Sequence, residues 1–364
     1  MNTIGVLTSG GDAPGMNAAI RAVVRVAADR GVRVLGVERG YQGLIDGRFH
    51  ALTRESAAGP RGLAPTREVE LAANHGGSFL GTARCMAFYE AAGRAKAAAA
   101  LAANLDGLVV IGGNGSLTGA HALSVEHGAK VIGIPASIDH DIGCTNSAIG
   151  VDSALNTIVD ACDRISDTAR SHRRAFIVEV MGRQSGYLCM AGAIAAGADA
   201  ALFREQGRSE AQIVEDVAAL LTKSFGPDLD KQRVLILKAE GVEIPCERLV
   251  REVTERLGDS LGDVSVRATV LGHLVRGGNP SFNDRMIANR FGHIAVRALL
   301  EGKTDVMTAW QPPVGGGEVT VDHGVTLFTI ERVLEETKAL LDGSSRVMQG
   351  RVALMEKAAG VLAL

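Results

Sequence analysis

An α/β fold with mostly parallel sheets is predicted by three features of this chain. Short β-branched runs alternate with longer alanine-rich stretches of helical period. Glycine-rich turns follow two of those runs, at Thr8 to Asn17 and at Gly112 to Ser116. The chain has 364 residues, 46% of them hydrophobic, which suffices to bury cores in two domains of ordinary size.

The first strand is predicted over Thr3 to Thr8. It leads through a glycine turn into a helix over Met16 to Asp29, where Ala19, Val23 and Val26 share a face at spacings of three and four and Gly31 ends the pattern. Further strands are predicted over Val34 to Glu38, Gly107 to Ile111, Lys130 to Ile134, Ala175 to Val180, Ala200 to Arg204, Val234 to Lys238 and Arg267 to Leu271. Helices are predicted over Glu90 to Ala103, Leu117 to His127, Ser153 to Ala169, Ser185 to Ala196, Glu210 to Thr222, Cys246 to Leu257 and Asp284 to Leu300. Arg54 to Gly81 shows no readable pattern, and there is no repeat or low-complexity linker. The rhythm restarts after Gly143 to Gly150, and Gly277-Gly278-Asn279-Pro280 marks a return. One domain is therefore expected over 1–149 and about 279–330, the other over 150–278 with a C-terminal helix at about 331–364.

A net charge of −3 supplies no broad basic field, which disfavours a nucleic-acid or anionic-membrane partner and leaves room for a local anion pocket. Cys85, Cys144, Cys162, Cys189 and Cys246 form an odd set without a CxxC pair, so a zinc knuckle and a disulfide framework are both disfavoured, and apolar filling in a reducing cytoplasm is expected. No basic leader precedes Ile4 and no apolar run approaches roughly 18 residues, so neither a signal peptide nor a membrane span is expected.

The chemistry is expected where glycine turns and carboxylates converge. Thr8-Ser9-Gly10-Gly11-Asp12-Ala13-Pro14-Gly15-Met16-Asn17 joins a strand to a helix, a place where unpaired amides and the helix dipole suit a phosphate. The alternative is a tight turn in which Asp12 or Ser9 merely caps the helix. It lacks the Lys-Ser/Thr of a P-loop. Gly112-Gly113-Asn114-Gly115-Ser116 repeats the device after a second strand, which points to one crevice at strand ends. Asn114 could ligate a metal, hydrogen-bond a phosphate, or occupy a left-handed turn.

In Pro135-Ala136-Ser137-Ile138-Asp139-His140-Asp141 two carboxylates stand two residues apart. Read as extended chain, the stretch turns both to one side, one near an attacking hydroxyl and one near a metal, and their mutual repulsion raises one pKa. The bland alternative is turn capping after Pro135. His140 has no partner at ligand spacing and is read as structural. Arg84, His172-Arg173-Arg174, Arg183, Arg267 and His273 to Arg276 place cations beside glycines or at strand ends, where guanidinium forks match phosphate oxygens.

On these residues the chain resembles the 6-phosphofructokinases. The match runs from Ile4-Gly5-Val6-Leu7 through Ala18-Ala19, then Gly77 to Arg84, Glu179 to Arg183, Arg267 to His273 and Arg276 to Pro280. The resemblance implies two Rossmann-like three-layer domains, the first binding nucleotide and the second sugar phosphate. It implies Mg²⁺-dependent transfer from ATP to fructose 6-phosphate, with pyrophosphate as the alternative donor. By position it makes Asp139 the base, puts Asp141 by the metal with Asn114, and assigns Arg84 and Arg183 to the transferring group. Gly10, Tyr41, Arg84, Cys85, Asn114, Gly115 and Ser116 fall around the nucleotide. Ser137, Met181, Gly182, Glu240, His273 and Arg276 fall around the sugar, with Arg174 and Arg267 reaching its phosphate from a neighbouring subunit of a homotetramer. Arg21, Arg25 and Arg54 match an effector site, although Ser166 stands where the family usually has arginine.

Asn114 replaces the usual loop aspartate, and His140 replaces the usual asparagine between the carboxylates. Pyrophosphate users carry lysine at the position of Ala136 and often aspartate at that of Gly115, so this pair favours ATP. An oxidoreductase is disfavoured because neither turn gives GxGxxG with an acidic residue about 20 positions on. A sensor that binds sugar phosphate without turnover is a third reading, motivated by Asn114 and His140.

Overall fold

The structure, a computed structural model, describes residues 1–258, 262 and 264–357. In chain order its elements begin with β1 (Thr3–Ser9), α1 (Met16–Asp29), β2 (Arg33–Val37), α2 (Gly40–Asp46), β3 (Phe49–Ala51), β4 (Thr53–Glu55), β5 (Leu63–Pro65), α3 (Arg67–Ala72), α4 (Ala91–Asn104), β6 (Leu108–Gly112), α5 (Asn114–His127) and β7 (Val131–Pro135). There follow α6 (Val151–Ser171), β8 (Arg174–Val180), α7 (Tyr187–Ala195), β9 (Ala200–Leu202), α8 (Glu210–Phe225), β10 (Arg233–Ala239), α9 (Cys246–Leu257) and β11 (Ser265–Val270). The last are α10 (Phe282–Leu300), β12 (Val306–Trp310), β13 (Glu318–Val319), β14 (Val325–Thr329), α11 (Ile330–Asp342) and α12 (Arg346–Lys357).

The chain divides into two compact units, Met1–Ser153 with Arg276–Leu340, and Ala154–Val275 with Leu341–Leu364. The last crossing falls near the end of α11, after Leu340, and not at about 331. Thr337 on that helix accepts from the Gly143 amide at 2.8 Å, which ties α11 to the first unit.

The first unit is built on the sheet β13-β14-β12-β7-β6-β1-β2-β3. Its inner strands, β12 through β2, are parallel, and antiparallel pairs occur only at the two edges. Every residue of β6 and β7 is buried, as expected of parallel strands covered on both faces. A short antiparallel hairpin, β4-β5, stands apart from this sheet.

The second unit holds the all-parallel sheet β11-β8-β10-β9. Ala175, Ile177, Val234 and Ile236 face Val217 and Leu221 of α8 and Leu249 and Val253 of α9. Gly192 of α7 lies against Leu237, on the opposite face, and against Ile158 of α6, which makes three layers. Burying each large aliphatic side chain contributes about 1.5–3 kcal/mol over leaving it exposed.

All eight predicted strands are present, with ends shifted by a residue or two. The short elements between Gly40 and Ala72 were not predicted, nor were the strands β12 to β14 after Leu300, and the single C-terminal helix expected from about 331 is two helices, α11 and α12, among the described residues. All five cysteines are free and buried. Among the described residues no helix is long and apolar enough to cross a membrane.

A buried acid anchors the point where the chain leaves the first unit. Asp284, in the first turn of α10, is 0% exposed. Its Oδ1 accepts from the Gly150 amide at 2.9 Å, and its Oδ2 accepts from the Ser153 amide at 2.8 Å and the Ser153 hydroxyl at 2.6 Å. Burial pushes this carboxyl up, against the downward pull of those donors. Residues 150–153 open α6, so the carboxylate takes up amides that a helix N-terminus leaves unbonded.

Candidate active site

Three strand ends stand side by side in the first unit. Ser9 pairs with Gly112, and Gly112 with Pro135, so β1, β6 and β7 release their following segments together at the carboxyl edge where open α/β sheets bind ligands. The glycine turns touch there. A Cβ at Gly112 would sit 2.5 Å from both Ser116 Oγ and the Ser9 carbonyl, so only glycine fits. Gly10, at φ +87, brings its backbone to the same serine hydroxyl, about which a Cβ would stand 3.3 Å away.

The second glycine turn is more helical than its composition suggested. Gly113 is the N-cap of α5, and Asn114-Gly115-Ser116 is the helix's own first turn, although the helix was predicted from Leu117. Two glycines and an asparagine lower intrinsic helix propensity. The packing of α5 on the sheet overrides it. The consequence is useful, because the positive end of the helix dipole stands at the strand end itself. Tyr41 braces this turn. Its hydroxyl donates to the Ser116 carbonyl at 2.5 Å, and its ring stacks on Phe88 at 4.0 Å. Burial pushes the phenol far up, so Tyr41 stays a donor. Cys85 is buried beside it, its thiol donating to Gln42 Oε1 at 3.3 Å.

The carboxylate segment follows β7. It is not extended as predicted: Ile138 and Asp139 form a turn and His140 is left-handed at φ 50. Ile138 and His140 are buried while Ser137, Asp139 and Asp141 are half-buried. Asp141 Oδ1 accepts from Ser137 Oγ at 2.9 Å, and its Oδ2 accepts from Asn114 Nδ2 at 2.9 Å. The β6 and β7 segments are therefore joined through side chains as well as through the Ala136 amide, which donates to the Gly112 carbonyl at 3.0 Å.

Two further groups complete this edge. The loop over 75–81 is anchored by Asn17, whose amide donates to the His75 carbonyl at 3.0 Å and whose carbonyl accepts from the Phe79 amide at 3.0 Å. Thr8 adds a bond to the Gly81 carbonyl at 3.0 Å, and Arg84 emerges exposed beyond it. Arg276 donates to the Asp12 carbonyl at 3.0 Å, which puts a residue expected at the sugar against the first glycine turn. That contact spans 264 positions, and no local pattern announces it.

In the second unit Met181, Gly182 and Arg183 leave the end of β8, and Glu240 leaves the end of the adjacent β10. Met181 is buried, while Arg183, Glu240 and His273 are exposed. Arg174 opens β8 at the opposite end, about 23 Å from Met181 at ~3.3 Å per residue over seven residues. Exposed Arg267 lies near that same far end, in register with Phe176.

Of the effector candidates, Arg21 and Arg25 both grip Glu70 at 2.8 Å. Burial works to raise the Glu70 carboxyl, but the two guanidiniums outweigh it and hold it below the usual range. Arg54 lies exposed on β4, in the hairpin with β5.

Among the described residues no group of three or more His, Cys, Asp or Glu could hold a metal by itself. The edge fits a smaller demand. Asn114 Oδ1 is buried with no hydrogen-bond partner, beside the Asp141 carboxylate. Magnesium is commonly held by one or two protein oxygens together with substrate phosphates and water.

Glycine-lined strand ends, a helix N-terminus and paired carboxylates at one sheet edge define an α/β phosphotransferase. The phosphofructokinase sequence profile matches residues 3–299. The ATP-dependent 6-phosphofructokinase of Thermotoga neapolitana is 46% identical over 312 residues, 85% of this chain and 90% of that protein. That of Halothermothrix orenii is 41% identical over 348 residues, covering 93% and 98%. The T-state phosphofructokinase of Pichia pastoris superposes with a TM-score of 0.79 at 32% identity, over 99% of this chain, which spans only 40% of that longer one. A pyrophosphate-dependent phosphofructokinase from Marinobacter aquaeolei shares the fold, with a TM-score of 0.75 at 19% identity. The chain belongs to the phosphofructokinase family.

Proposed function

We propose that the chain transfers the terminal phosphoryl group of ATP to the 1-hydroxyl of fructose 6-phosphate, giving ADP and fructose 1,6-bisphosphate in glycolysis. The observation that carries this reading is the meeting of the β1, β6 and β7 ends, which sets a turn with two acids beside two glycine turns. The first unit takes the nucleotide and the second the sugar phosphate. Asp139 accepts the hydroxyl proton as oxygen attacks, so the nucleophile gains charge only as the bond forms. Gly10, Gly115 and the first-turn amides of α5 cradle the phosphates, with Tyr41 holding that turn in place. Arg84 and Arg183 stabilise charge on the transferring group, a role suited to exposed guanidiniums. Ser137, Met181, Gly182, Glu240, His273 and Arg276 orient the sugar.

Asn114 Oδ1 and Asp141 would hold Mg²⁺ together with the donor phosphates, whose charge the ion would neutralise. Asn114→Asp is expected to tighten Mg²⁺, seen as a lower half-saturation in a magnesium titration; an unchanged curve removes residue 114 from the ligand set. The separation of Arg174 and Arg267 from Met181 supports their serving a neighbouring subunit's sugar phosphate, in a homotetramer. The enzyme works in the cytoplasm, where its substrates are.

A donor assay tests the reading. With fructose 6-phosphate, ATP is expected to support turnover at least about tenfold better than pyrophosphate, because Ala136 and Gly115 supply neither a lysine nor an aspartate to the donor pocket. Equal or better use of pyrophosphate assigns the chain to the pyrophosphate-dependent branch. Binding of sugar phosphate with no turnover on either donor makes it a sensor.

A further inference from the structure

The second unit contains a charge pair, a buried lysine on a half-buried carboxylate, that this chemistry leaves unused. Lys238 on β10 and Glu179 on β8 stand opposite each other in the parallel register. Lys238 is 1% exposed, and its Nζ donates to Glu179 Oε2 at 2.9 Å and to the Ala239 carbonyl at 3.3 Å. The Cys246 thiol, first in α9, donates to the same carboxylate oxygen at 3.4 Å. Everything before the pair on this face is apolar: Ala175 and Ile177 on β8, Val234 and Ile236 on β10. Stability does not explain a lysine there. Desolvating the ammonium fully and the carboxylate in large part is expensive, and well-packed apolar residues in their place are often at least as stable.

Location does explain it. One residue after Glu179, β8 ends and releases Met181 to Arg183; one residue after Lys238, β10 ends and releases Glu240. The released segments lie backbone on backbone. The Glu240 amide donates to the Val180 carbonyl at 2.9 Å, and a Cβ at Gly241 would stand 2.4 Å from the Arg183 carbonyl oxygen. Spacing this tight leaves no slack for a strand end that slides.

We propose that Lys238 and Glu179 are positioning residues for the sugar phosphate, fixing the ends of β8 and β10 and so the separation of Met181–Arg183 from Glu240. The assignment of those segments to the sugar rests on the function proposed above. Directional bonds from one ammonium to a carboxylate on β8 and to the last carbonyl of β10 pin both strand ends at once. Two apolar side chains would fill the same space and tolerate a shift.

Lys238→Met alone leaves the half-buried Glu179 carboxylate without its ammonium partner, so the double variant Glu179→Leu/Lys238→Met carries the test. It is expected to keep the wild-type melting temperature while KM for fructose 6-phosphate rises about tenfold and KM for ATP stays within about twofold. Amide hydrogen exchange is expected to quicken in peptides covering 180–186 and 239–244 and to stay unchanged over 9–16. A double variant with wild-type KM and wild-type exchange overturns the proposal. If the wild type itself turns over no fructose 6-phosphate, the functional reading fails separately, and the exchange comparison alone decides whether the pair positions these segments.

Discussion

Asp139→Asn is expected to lower kcat by about 10²–10⁴-fold while leaving both KM values near those of the wild type. The amide keeps the size of the carboxyl and cannot take a proton. Asp139 lies half-buried in a surface turn, so no core is opened and the melting temperature should hold. Steady-state kinetics with ATP and fructose 6-phosphate check this. A variant with near-normal kcat would move the base elsewhere, and Asp141, already bonded to Ser137 and Asn114, would be the next residue to test.

The second large effect concerns folding. Asp284→Ala takes the acceptor away from the Gly150 and Ser153 amides in a site that is 0% exposed. At about 1–3 kcal/mol for each buried donor, the loss is about 2–6 kcal/mol, against a total of about 5–15 for a typical domain. Thermal melts should show it directly. Asp284→Asn should also lose stability, because one of its two polar atoms becomes a donor facing another donor. The wild type carries a pH signature here. Its carboxyl is held above the ordinary range in the fold, so the folded state binds the proton more tightly than the unfolded chain. Stability from this group therefore falls as pH rises from the ordinary carboxylate range to the raised one. The Ala variant should lack that slope, and a melting temperature within a degree or so of wild type would mean the amides find other acceptors.

What was legible in the sequence depended on the range of the forces involved. Parallel strands buried on both faces announce themselves as continuous apolar runs, which is why Leu108–Gly112 and Val131–Pro135 were found nearly to the residue. The short elements from Gly40 to Ala72 are too brief to show a period. The start of α5 was misplaced because Gly and Asn speak for a turn locally, while packing on the sheet decided for helix. The left-handed His140 belongs to the same class: the spacing of the two acids suggested strand pleating, whereas the segment is a turn that buries Ile138 and His140. Arg276 against Asp12, and Lys238 against Glu179, are consequences of tertiary register, and a one-dimensional pattern does not contain them.

Gly112 and Gly115 lie three positions apart in the same cradle and offer opposite prospects to anyone redesigning it. The former is hemmed in by a neighbouring carbonyl and a hydroxyl, so every other amino acid is closed to it. A Cβ added at the latter would meet nothing within 4 Å beyond its own helix backbone and chain neighbours. A new side chain can therefore be introduced at Gly115 while the scaffold around it stays as it is, and with the donor placed as proposed above, that residue is the natural place to retune which donor is accepted.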